Sequence, residues 1–324
     1  MDAPEDKIDF TGQVAIVTGG GNGIGRAHCL ALAARGAKLV VNDLGASSSG
    51  AGRASEAADR VVDEIRAAGG EAIPNYESVA TREGGAAIIA AALKAFGRID
   101  ALVNNAGFLT DAPFDEMTDA QIDTIIDVHL KGAFYVSQPA FRAMKDAGYG
   151  RIVFTGSASG MFGHAWHASY GAAKAGILGL MNVVALEGVP HGILANAIMP
   201  NAVTRISESL SRGFMENKSF AESLTRVNFE PLLPSVKAEY VAPLVAYLAS
   251  DRCQSTHNVY SQAGNRYARV FIGVTEGWKS PGDQPPSPEA IAAHWSIVEN
   301  RSIYHLPLTN YDELAIVSPN TNTK

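Results

Sequence analysis

Short apolar runs without polar alternation recur along the chain, at Val14–Val17, Leu39–Val41, Ala72–Ile73, Ala101–Val103, Ile152–Phe154 and Ala195–Ile198. A strand with one wet face would alternate, so these read as strands buried on both faces. Between them lie stretches with helical spacing: one from a glycine-rich turn to Gly36, then Glu56–Ala68 stopped by Gly69 and Gly70, Ala86–Phe96, and a long apolar stretch over Ala168–Leu186. Thr118 and Gln121 form a capping box that opens another helix, continuing past His129 toward Met144. A helix over Glu239–Leu248 and a strand near Val259 complete the series. Such alternation predicts an α/β fold with a doubly wound parallel sheet.

The main domain is expected over 8–265, followed by a C-terminal extension over 266–324. Within the domain, 204–236 is more polar, holds Pro231 and Pro234, and comes just after the sixth strand, so it reads as a substrate lid. In the extension, Pro281, Pro285 and Pro286 mark a linker, and Ser287 with Pro288 caps a short helix through Trp295.

Composition narrows the partners. At 324 residues and 47% hydrophobic content the chain can bury a large core. The net charge of −7 and the scattered Lys and Arg leave no basic face for phosphate backbones, so nucleic acid is not the expected partner. Cys29 and Cys253 make no disulfide framework and no metal-ligand spacing; both read as small buried hydrophobes, and no metal is expected. The acidic N-terminus lacks a secretory pattern, and the apolar runs fall short of a membrane span, so a cytoplasmic location is expected.

The chemistry concentrates in a few places. Thr18-Gly19-Gly20-Gly21-Asn22-Gly23-Ile24-Gly25 follows a strand and opens a helix, where glycines let backbone amides approach a pyrophosphate at the helix N-terminus. Asp43 closes the second strand, where a carboxylate accepts both ribose hydroxyls and repels a 2′-phosphate, which selects NAD over NADP. Arg26, inside the first helix, reads as a solvated or pyrophosphate-facing charge. Tyr170 and Lys174 share one helix face, and Ser157 reaches them from the end of the fifth strand. A phenol of pKa about 10 is a poor base at neutral pH; an ammonium about 4 Å away, at an effective dielectric near 20, supplies the roughly 4 kcal/mol needed to change that.

Taken in order, the glycine turn, Asn104-Asn105-Ala106-Gly107, Ser157 and the Tyr170–Lys174 pair resemble the short-chain dehydrogenase/reductase family. The resemblance implies a single Rossmann-like domain, usually in a homodimer or homotetramer, that exchanges hydride between alcohol and ketone. It implies Ser157, Tyr170 and Lys174 as catalytic residues. It further implies coenzyme contacts from Gly19, Asn22, Gly23, Ile24, Gly25, Asp43, Ser78, Val79, Asn105, Ala106, Gly107, Pro200, Ala202 and Val203, besides Tyr170 and Lys174. Many members carry an asparagine that positions a relay water in the helix before the fifth strand; here His129 stands there, either as a relay group or as a packing residue. His164 and His167, between Ser157 and Tyr170, read as surface polar residues or as substrate contacts.

Val40–Gly45, Asn75–Val79, Pro200-Asn201-Ala202 and Tyr240–Val245 bring the chain nearer to the branch of (3R)-hydroxyacyl-CoA dehydrogenase modules and 17β-hydroxysteroid dehydrogenases. That resemblance implies a bulky apolar substrate with a secondary hydroxyl. Arg205, Arg212, Lys218 and Arg226 in the lid would suit an acyl-CoA, and Leu210, Phe214, Met215, Phe220 and Leu224 a steroid. Two other readings stay open: an NADPH-dependent ketone reductase, opposed by Asp43, and a non-catalytic NAD-binding interaction protein, opposed by the intact Ser157, Tyr170 and Lys174.

Overall fold

The computed structural model describes residues 7–46, 52, 54–203, 216, 222, 228, 230–281 and 284–317. Seven strands carry the sheet that positions the site: β1 (Val14–Thr18), β2 (Lys38–Asn42), β3 (Ala72–Asn75), β4 (Ala101–Asn104), β5 (Gly150–Thr155), β6 (Ile193–Asn201) and β7 (Asn258–Ala263). An eighth, β8 (Arg266–Val270), follows the two-residue connection of Gly264 and Asn265 and was not expected from the sequence pattern. The spatial order is β3-β2-β1-β4-β5-β6-β7-β8, and every pairing from β3 to β7 is parallel. Ile16, for instance, lies between Val40 and Leu102, all three buried. The absence of polar alternation thus has its cause in helices on both faces.

One face is covered by α1 (Gly23–Ala33), α2 (Glu56–Ala67) and, later in the chain, a helix over Ala242–Leu248; Cys29, Leu32, Val61, Ile65, Val245 and Leu248 share its core. The other carries α3 (Arg82–Phe96), α4 (Asp119–Ile125), α5 (Gly132–Ala147), a short α6 (Ala158–Phe162) and α7 (Ala168–Gly188). Thr118 and Gln121 cap α4 reciprocally, as the sequence predicts. The helix does not run straight on, however: Ile126–Lys131 is a π-helical turn, and His129 sits within it. Such turns widen a helix locally and are frequent at functional sites.

Burial along α7 explains its composition. Ala173, Lys174, Ile177, Leu178, Met181 and Ala185 face inward at helical spacing, and the helix packs on β5 and β6. Its extent, Ala168–His191 with the following turn, is apolar enough to cross a membrane by composition, yet it lies against the sheet as a core helix. Cys29 and Cys253 are free and fully buried, and burial pushes both thiols up.

The chain forms two compact units, Met1–Arg269 and Val270–Lys324. In the second, two-residue strands at Val274–Thr275 and Tyr304–His305 pair antiparallel, Ser287 caps Pro288–Ala293 through Ala290 N–H at 3.2 Å, and a separate turn follows at Trp295–Val298. His294 stacks on Trp278 with ring centroids 4.1 Å apart. The lid read over 204–236 lies, up to 229 and apart from Glu216, Glu222 and Asn228, outside the described residues.

Candidate active site

The chain reverses its strand order between β1 and β4, and their carboxyl ends flank a cleft of about 520 Å³. Crevices at such switch points are where open α/β sheets take ligands. Thr18 laces the two strand ends together: its hydroxyl accepts the amides of Asn105 (3.0 Å) and Ala106 (3.1 Å). The Asn105 side chain returns a hydrogen bond to the Thr18 carbonyl at 3.0 Å.

Backbone shape dominates the coenzyme half. Gly19 and Gly23 adopt left-handed conformations, φ +64° and +49°. A Cβ on Gly25 would stand 2.0 Å from the Gly19 carbonyl oxygen and one on Gly19 2.8 Å from the Ala106 Cα, so the turn closes only with glycine. Helix α1 then begins with no acidic residue in its first turn, which leaves its N-terminal dipole available to an anion. Asp43 projects from the end of β2, with Oδ2 accepting Gly21 N–H and Oδ1 accepting Gly45 N–H, each at 2.8 Å. These amides fix the carboxylate at the cleft wall. The tight turn, the open helix end and the fixed acid together fit a dinucleotide.

Gly19, Asn22, Gly23, Ile24, Gly25, Asp43, Ser78, Val79, Asn105, Ala106, Gly107, Pro200 and Ala202 all line the cleft. Val203 does not. It lies beyond the end of β6, half exposed, with its amide bonded to the Val236 carbonyl at 2.8 Å. Arg26 does not line the cleft; it is a partly solvated charge that pairs with Glu64 of α2. Phe108 and Leu109 also line the cleft; they stand immediately after the Asn104–Gly107 motif, the only signal the sequence offers for them.

Buried side chains dominate the other half. Ser157 stands two residues past the end of β5 and caps α6, accepting Ser159 N–H at 3.1 Å. Lys174 is almost wholly buried, donates to the Thr155 carbonyl at 2.6 Å, and lies 5.6 Å from the Tyr170 ring centroid. Burial pushes the Tyr170 phenol up, against a hydrogen bond with Ser157 that pulls it down. The same burial lowers Lys174 to about 7. On sequence alone Lys174 simply lowers the phenol; in the folded cleft desolvation disfavours the charged form of both groups.

His129 is buried and stands edge-on to Tyr170, ring centroids 5.3 Å apart. Its Nε2 lies 2.7 Å from the Phe108 carbonyl and 3.1 Å from the Phe108 amide; taking the shorter contact as the hydrogen bond puts the proton on Nε2. Nδ1 is then a bare acceptor, buried and without a partner among the described residues. Burial and the neighbouring Lys174 hold the ring's pKa well below the usual histidine value. Gly107 makes room for it, since a Cβ there would fall 2.2 Å from His129 Cε1. His129, Lys174, Thr18 and Asn104 also border a small cavity of about 10 Å³.

His164 and His167 both reach the cleft, stacked at 4.3 Å. His164 is exposed, whereas His167 is buried beside Tyr170 and lowered to about 4 by burial, so the surface reading fails for it. The turn between them holds Trp166 at φ +68°, a left-handed conformation uncommon for a bulky residue.

The model of the short chain dehydrogenase family matches residues 13–212. The chain belongs to the short-chain dehydrogenase family. As a short-chain dehydrogenase it is an oxidoreductase that takes a nicotinamide coenzyme. It is 42% identical over 293 residues to peroxisomal multifunctional enzyme type 2 of Mus musculus, a match covering 89% of this chain and 37% of that protein. Full-length peroxisomal multifunctional enzyme type 2 from Drosophila melanogaster superposes with a TM-score of 0.77 at 32% identity, over 96% of this chain and 49% of that one. This short-chain dehydrogenase therefore spans less than half the length of those relatives. A short chain dehydrogenase from Mycobacterium avium matches nearly end to end, at a TM-score of 0.74 and 34% identity, over 91% of this chain and 98% of that one.

Proposed function

We propose that the protein oxidises a secondary alcohol to a ketone with NAD, on a bulky apolar substrate: a 17β-hydroxysteroid or a (3R)-hydroxyacyl-CoA. The observation that carries this reading is the convergence of Ser157, Tyr170 and Lys174 in the same cleft as the glycine turn and Asp43. Asp43 supports NAD, because a carboxylate fixed at the cleft wall accepts ribose hydroxyls and repels a 2′-phosphate. Gly19, Gly23, Gly25 and the N-terminus of α1 would hold the pyrophosphate.

Tyr170 takes the proton of the substrate hydroxyl, and Ser157 hydrogen-bonds the substrate oxygen as it becomes a carbonyl. An ammonium 5.6 Å from the ring centre contributes about 3 kcal/mol at an effective dielectric near 20, roughly two pK units. That opposes burial without overcoming it, since the folded cleft on balance raises the phenol. NAD held at the glycine turn and Asp43 would supply the hydride acceptor and a positive charge that favours the phenolate. The proton then passes from Tyr170 toward Lys174. The adjacent cavity is about one water in size, and a water there would bridge Lys174 and the bare Nδ1 of His129, giving this histidine the relay role. Phe108, Leu109 and Val128 supply apolar wall for the substrate.

Self-association belongs to the same reading. Phe134 on α5 and Val183, Leu186 and Val189 at the far end of α7 are exposed apolar side chains, which supports a homodimer or homotetramer.

Steady-state rates with 17β-estradiol, testosterone and a (3R)-hydroxyacyl-CoA, each with NAD and with NADP, test the proposal. NADH formation with at least one of them, and a lower rate with NADP, is the expected result; no turnover across the panel despite NAD binding would overturn it.

A further inference from the structure

Helix α2 sends one cation to the coenzyme turn. Arg60 Nη2 donates to the Gly21 carbonyl at 2.9 Å and to the Asn22 side-chain oxygen at 2.8 Å. The amide of the same Gly21 donates to Asp43 Oδ2 at 2.8 Å, so a single residue of the turn links the carboxylate on one side to the guanidinium on the other. Nothing can be inserted between them. A Cβ on Gly21 would meet Asp43 Oδ2 at 2.7 Å and the Ala57 Cβ at 2.8 Å, which presses α2 directly against the turn.

Arg60 is exposed, and among the described residues no carboxylate lies within ion-pairing distance of it. Both its contacts use Nη2, and Nε and Nη1 have no protein partner among those residues. A planar fork with unspent donors beside a ribose site is what a phosphate monoester dianion requires. Asp43 opposes that use while it is present, because its fixed negative charge stands across Gly21 from the guanidinium and repels a 2′-phosphate.

We infer that Arg60 has two roles: it clamps the Gly21–Asn22 segment for the bound coenzyme, and it is a latent partner for a 2′-phosphate, so that coenzyme choice rests on Asp43 alone. This rests on the reading above that Asp43 meets the adenosine ribose. Removing the acid is then sufficient to admit NADP without introducing a new cation.

The test is titration of NAD and NADP into the wild type, Asp43→Ala, Arg60→Gln and Asp43→Ala/Arg60→Gln, with the ratio of the two affinities as readout. General loosening of the turn moves both affinities together and cancels in that ratio. Asp43→Ala is expected to shift the ratio toward NADP by about tenfold or more, and adding Arg60→Gln to remove most of that shift. Arg60→Lys in the Asp43→Ala background should keep part of it. An equal shift in the single and the double variant would overturn the role of Arg60 and leave that of Asp43 standing. No shift in Asp43→Ala would instead sink the reading of Asp43, and the latent-partner role with it.

Discussion

The two halves of the cleft are built from different materials. On the coenzyme side, Gly19, Gly23 and Gly25 contribute shape, and Asp43 is held by two backbone amides at 2.8 Å. On the catalytic side, Tyr170, Lys174 and His129 contribute side chains whose properties depend on being out of water. A backbone cradle is made by excluding atoms, and a proton site by excluding solvent. The first should therefore fail by steric intrusion and the second by loss of one charge.

Breaking the catalytic side gives the largest expected effect. Lys174→Met removes the cation beside a phenol already raised by burial. We expect kcat to fall by about 10³, within the usual range for acid–base groups, and the pH at which the remaining rate rises to move upward. A pH–rate profile at saturating NAD checks both. On the coenzyme side, Gly25→Ala drives a Cβ into the Gly19 carbonyl, and we expect NAD binding to weaken by about 10². Circular dichroism should show the fold retained, since the clash involves only the turn and the adjoining Asn105 side chain.

Acid should act on the coenzyme side through its first helix. His28 on α1 is fully buried, and desolvation lowers it to about 3. Its folded-state value lies below its unfolded one, near 6.5, so the unfolded chain binds the proton first. Its contribution to stability is complete above about pH 6.5 and is lost as pH falls toward 3, on the order of 3 kcal/mol by pH 4. Chemical denaturation of the wild type and of His28→Leu at pH 7 and pH 4.5 measures it. The variant should show the weaker pH dependence.

The smallest expected change sharpens the boundary between the halves. His129→Leu keeps an apolar body in the space beside Gly107 but removes the ring nitrogens from the small cavity that Lys174 also borders, and about a tenfold loss of kcat is expected with NAD affinity unchanged. A structural role alone would leave the pH–rate profile in place; a relay role moves it.

This difference in materials also explains what could be read from the chain. Glycine spacing, the buried strands and the i, i+4 pair of Tyr170 and Lys174 are local patterns, and each stands where the sequence predicts. The π-helical turn at His129 has no periodic signature, because a single turn of six residues is too short to establish a period of its own. Arg60 belongs to the polar face of an amphipathic helix, where a coenzyme-facing charge and a solvated one look alike. Arg26 was legible as a charge, but its partner Glu64 is 38 residues away, and only the packing of α1 on α2 brings them together. Val203 directly follows the Pro200-Asn201-Ala202 motif but does not line the cleft, its amide being bonded to Val236 instead. The burial of His167, and with it the fall of its pKa to about 4, depends on a turn through left-handed Trp166 that no local pattern announces.

The central claim is that binding and chemistry are separable in one cleft, with Tyr170 as the group that moves the proton. Its most direct test is Tyr170→Phe, titrated with NAD and assayed for NADH formation on the best substrate. The account predicts an NAD affinity within about twofold of the wild type and a rate lower by at least about 10³. Turnover at the wild-type rate in that variant would contradict it.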